Sequence, residues 1–87
     1  MTGAIPGYWM HETSGVLRPA VEAYLRHDPM TPGQIAAVRG YLHQWFAAPA
    51  WKGPMIDPIR TAVEAITCRA DISRVLEMAV REGIDPL

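Results

Sequence analysis

The chain has 87 residues, of which 49% are hydrophobic and 20% charged, and a formal net charge of −1. This length suits one domain that buries roughly 60–65% of its unfolded surface, and the composition is globular and not that of a disordered chain. So small a net charge gives no global field to gather nucleic acid or an anionic membrane, and a lone cysteine, Cys68, excludes an intramolecular disulfide framework.

The first fifteen residues, MTGAIPGYWMHETSG, lack the basic and apolar blocks of a secretory signal. No apolar run in the chain reaches the length of a membrane span, so a cytoplasmic location is expected. Residues 1–15 read as a non-helical arm, rich in Gly, Ser and Thr. Tyr8, Trp9 and Met10 stand together inside it. Leaving that much apolar surface in water is unfavourable, so the arm is expected to be ordered across the helices. The functional alternative is an arm that docks on a partner or on a second copy of the chain.

A first helix is expected over about 16–27. Thr13 or Ser14 is its cap, Pro19 belongs to its first turn, and Leu17, Ala20, Val21, Tyr24 and Leu25 form its apolar stripe. Glu22 and Arg26 have the spacing of a favourable ion pair, and His27 complements the dipole at the carboxyl end. His27–Met30 then forms a short turn, which favours antiparallel or steeply crossed neighbours.

The second helix, about 32–47, has the plainest start signal. Thr31 and Gln34 have the spacing of a capping box, with Pro32 at the first helical position. Ile35, Val38, Leu42, Trp45 and Phe46 recur on one face, Tyr41 borders it, and Arg39, His43 and Gln44 lie on the other side. Gly40, in mid-helix, either admits a close backbone neighbour or is tolerated. Pro49 ends the helix, and a connector rich in proline and glycine, pinned by Trp51 and Met55, follows to Asp57.

Asp57-Pro58 reads as a cap followed by a proline, opening a third helix over about 58–69 with Ile59, Ala62, Val63, Ile66 and Ala70 on its face. Cys68 falls nearly opposite that stripe. Asp71 reads as the cap of a fourth helix over about 72–82. Its stripe is Ile72, Val75, Leu76 and Ala79, with Val80 at the margin, and Glu77 and Arg81 have ion-pair spacing. Gly83 followed by Ile84 has the form of a Schellman ending. There is no strand-like alternation and no internal repeat. The expected architecture is therefore all-α, one compact four-helix domain over 1–87 with an ordered non-helical N-terminal arm.

Chemistry-bearing motifs are sparse. His11, His27 and His43 share no ligand spacing, so no metal is expected. Cys68, His43 and an acid are the ingredients of nucleophilic catalysis, but no signature surrounds them, and neither an enzyme nor a cofactor is expected. A short third-to-fourth helix turn at Arg69-Ala70-Asp71 resembles helix-turn-helix spacing, which makes Ser73, Arg74 and Arg81 candidate DNA contacts. Against it, residues 57–87 hold four arginines and six carboxylates, the reverse of the usual basic footprint. The reading favoured by the sequence is a non-enzymatic protein-interaction module: a homodimer, or an adaptor or inhibitor of a larger complex. Its candidate partner-binding residues are Tyr8, Trp9, Met10, Arg39, Tyr41, Trp45 and Trp51, because aromatic and arginine side chains are enriched at interfaces.

Overall fold

The second helix shows most directly how residue type sets an element. The computed structural model describes residues 15–48 and 53–87, and within them α2 spans Pro32–Phe46. The hydroxyl of Thr31 accepts the Gln34 N–H at 3.1 Å, and Gln34 Oε1 accepts the Thr31 N–H at 2.9 Å. With Pro32 contributing no N–H, this capping box leaves little of the first turn unsatisfied. Ile35, Val38, Leu42, Trp45 and Phe46 are all buried, as their spacing predicts. The Trp45 and Phe46 rings meet edge to face, centroids 5.1 Å apart. The space beside Gly40 is open, so this glycine is simply accommodated on the outer face.

The other helices are α1 (Leu17–Leu25), α3 (Ile56–Glu64) and α4 (Arg69–Arg81), and no strand occurs among the described residues. Helix α2 packs on the other three, α1 beside it and α3 paired with α4. The radius of gyration is 12.1 Å, close to the value of about 12 Å for a compact chain of this length. Leu17, Ala20 and Val21 of α1, Ile59 and Val63 of α3, and Ile72, Val75 and Ala79 of α4 close on the α2 stripe to form one core.

Several boundaries differ from the sequence expectation, each for a local reason. Helix α1 starts at Leu17 with Val16 as a cap that makes no side-chain bond; Thr13 and Ser14 lie outside the described residues, as do the arm residues 1–14, including Tyr8, Trp9 and Met10, and Trp51. The helix stops two residues early. His27 adopts the left-handed conformation (φ 62°), its N–H bonding to the Tyr24 carbonyl while that of Asp28 bonds to Ala23. This is a Schellman ending with histidine in the usual glycine position. Leu25, placed in the stripe by spacing, is half exposed, and Glu22 pairs with Arg18 and not with Arg26.

Helix α3 spans Ile56–Glu64 where about 58–69 is expected. Asp57 and Pro58 are its second and third residues, and Asp57 is not the cap. A proline is tolerated there because the N–H it lacks has no intrahelical acceptor. The early stop comes from Thr67. Its N–H and hydroxyl both donate to the Asp71 carboxylate, at 2.9 and 3.0 Å. Asp71 therefore sits inside the first turn of α4, the cap falls on Cys68 in extended conformation, and α4 begins at Arg69. Ile66, now in the linker, still reaches the core, while Ala70 is exposed. At the far end the forecast Schellman motif is present: Gly83 has φ 75°, its N–H bonds to Val80, that of Ile84 bonds to Ala79, and Ile84 is buried.

Candidate interaction surface

Arginines account for seven of the eight basic side chains of the chain, and three of them are committed to helix ends. Arg60 Nε, on α3, donates to the carbonyl of Phe46, the last residue of α2, at 2.8 Å. Arg39 of α2 donates to Ile66, just beyond α3, at 3.3 Å. Arg69, the first residue of α4, donates to Tyr24 at 2.8 Å, to Ala23 at 3.1 Å and to Asp28. Its guanidinium also lies over the Tyr24 ring, 5.2 Å from the centroid. Cations at carbonyl-rich helix ends are stabilised by both hydrogen bonding and the dipole. Arg39, expected as an interface residue, is exposed but engaged in this way.

The two remaining described candidates for partner binding point inward. Trp45 is 2% exposed and Tyr41 7%, and the Tyr41 hydroxyl donates to the Pro86 carbonyl at 2.7 Å. Their rings belong to the core and present no surface edge, and Arg60 of α3 and Pro86 of the C-terminal tail meet this end of α2. Of the residues suggested for DNA contact, Arg74 and Arg81 are exposed, whereas Ser73 shares a 2.8 Å hydrogen bond with the Tyr24 hydroxyl across to α1. The outer side of α4 alternates these arginines with exposed Glu77 and Glu82.

A different surface emerges on α4. Tyr24 of α1 and Ser73, Leu76, Glu77, Val80 and Arg81 of α4 line an open groove of about 590 Å3. Val80, 65% exposed, is the most exposed of the large apolar side chains described, and Leu76 is partly buried one turn before it. Ser73, Leu76 and Val80 have the i, i+3, i+7 spacing of a continuous helical stripe. The signal for this surface was in the sequence: Val80 is about 100° from Ala79 around the helix, off the centre of the buried stripe. Glu77 and Arg81 run beside the apolar stripe, and among the described residues no ion pair joins them, contrary to the expectation from their spacing.

A second concavity, about 420 Å3, lies between α2 and α3, with Phe46 and Val63 as its floor and His43, Arg60 and Glu64 at its rim. His43 Nδ1 and Glu64 Oε2 are in contact there, both side chains 60% exposed. An exposed pair of this kind is weak in water. Cys68 is exposed at the α4 cap, on a different element from His43. Among the described residues no group of three or more His, Cys, Asp or Glu side chains is arranged to hold a metal ion, and no helix is long and apolar enough to cross a membrane. Comparison of the chain with protein families, curated proteins and solved structures returned no match.

Proposed function

We propose that the chain is a small non-enzymatic protein-interaction module whose binding surface is the outer side of α4 and the groove it shares with α1. The observation that carries this reading is Val80, 65% exposed at the lip of a groove that Leu76 and Tyr24 continue inward. Exposed apolar area is disfavoured by roughly 25 cal/mol per Å2, and covering it is the usual return of protein association. The rim supplies both charge signs, through Glu77 and Arg81, and so favours an oriented protein partner over a polyanion.

The engagement of Arg39, Arg60 and Arg69 in helix-end contacts supports the same reading. It leaves Arg74 and Arg81 on α4 beside Glu77 and Glu82, a balanced face and not a basic one. The test is affinity capture from the native cell with wild type and Val80→Asp as paired baits. Loss of specific partners from the variant is expected, with its helical circular dichroism unchanged. Identical partner sets would sink the reading, and salt-sensitive retention of DNA by the wild type would replace it with the helix-turn-helix alternative through Arg74 and Arg81.

A further inference from the structure

The outer side of α4 is complementary to itself. Two stripes run along it, an apolar one of Leu76 and Val80 and a charged one of Arg74, Glu77 and Arg81. Successive residues are about 100° apart, so the stripes lie side by side on adjacent flanks. In an antiparallel pair of identical helices the dyad keeps each flank on its own side and reverses its direction. With the dyad level with Met78 and Ala79, Leu76 of one copy meets Val80 of the other, and Val80 meets Leu76. On the other flank Glu77 meets Arg81 twice. Leu76 and Val80 then meet apolar on apolar, and Glu77 and Arg81 acid on base. Glu77 and Arg81 form no ion pair within the chain and are available for this exchange.

We propose that the occupant of the α4 surface is a second copy of this chain, bound antiparallel about a dyad near Met78–Ala79, with reciprocal Glu77–Arg81 pairs flanking a Leu76–Val80 seam. This rests on the reading of α4 as an interaction surface and names its partner. The geometry follows antiparallel coiled-coil logic, in which apolar seam residues supply association and flanking charges set orientation.

The test is light scattering and sedimentation equilibrium on the whole chain up to about 1 mM. The expected result is a concentration-dependent approach to twice the chain mass. Glu77→Arg and Arg81→Glu are each expected to weaken self-association at least tenfold, since each places like charges at both pairs. An equimolar mixture of the two variants restores both pairs and is expected to recover the dimer as a heterodimer. Val80→Asp abolishes it. Since these side chains are exposed, circular dichroism is expected to be unchanged throughout, and recovery in the mixture excludes misfolding as the cause. A wild-type monomer at 1 mM overturns the proposal, as does a dimer indifferent to these substitutions. If the wild type is monomeric yet Val80→Asp loses a captured cellular partner, the second copy is refuted while the interaction surface stands.

Discussion

Helices α1 and α4 end in the same hydrogen-bond pattern but reach it by different means. At the end of α4, Gly83 takes the left-handed conformation (φ 75°) that its lack of a Cβ allows. At the end of α1, His27 takes it (φ 62°) against its own preference. The difference is made up from outside the helix. Arg69, more than forty residues away in sequence, donates to three carbonyls of that turn and stacks on Tyr24. A turn can thus be specified by its own residue or by a tertiary clamp, and only the first is local.

The largest expected effect comes from removing the clamp. Arg69→Ala is expected to destabilise the domain by about 2–3 kcal/mol, since charge-assisted hydrogen bonds are lost while the carbonyls of Ala23 and Tyr24 keep their backbone donors. Urea denaturation measures this, and Arg69→Lys recovers only part of the loss because an ammonium cannot fork across carbonyls. A cost under about 0.5 kcal/mol would mean that the α1 turn holds without it.

Next in size is Gly83→Ala. A Cβ there meets open space, so the cost is purely conformational, about 1–2 kcal/mol. The counterpart, His27→Gly, is expected to stabilise by about 0.5–1 kcal/mol, the relief of left-handed strain offset in part by greater unfolded-state freedom. Both are read from denaturation midpoints, and an equal sign for the two substitutions would break the comparison. Combined with Arg69→Ala, His27→Gly is expected to rescue part of the loss, a coupling that a double-mutant cycle resolves.

The smallest effect concerns the start of α4. The backbone and side chain of Thr67 bond to the Asp71 carboxylate and hold its pKa below the ordinary 3.8. The unfolded chain therefore takes up this proton more readily than the folded one, so stability rises with pH through that range. The contribution is complete above about pH 4 and disappears as pH falls through the depressed folded value. The difference between wild type and Asp71→Asn in denaturation midpoint is expected to shrink on acidification below pH 4, and a difference constant with pH would contradict the Thr67–Asp71 assignment.

The same contrast between local and distant causes explains what could be read from the sequence. The Thr31 capping box, the α2 stripe and the Gly83-Ile84 ending depend on successive residues no more than five positions apart, and all are present as read. The end of α1, the early stop of α3 and the true cap of α4 are set by longer or competing contacts. Asp71 has the residue type of a cap, but with Thr67 four residues before it the carboxylate bonds one turn back instead. Composition marked Tyr41 and Trp45 as possible anchors, yet aromatic rings serve cores and interfaces alike, and only packing separates the two. Val80 was legible as marginal from its angular position; that it borders a groove depends on where α1 lies.

The three arginine contacts also bear on how the domain opens. Helix ends ordinarily fray independently, and their last amides exchange with solvent through small local openings. Here the end of α1 is held from α4, the end of α2 from α3, and the segment after α3 from α2. No one of these ends can loosen without releasing a side chain anchored on another helix. Hydrogen exchange at Leu25, Phe46 and Ile66 is therefore expected to follow global unfolding, with Arg69→Ala uncoupling Leu25 alone.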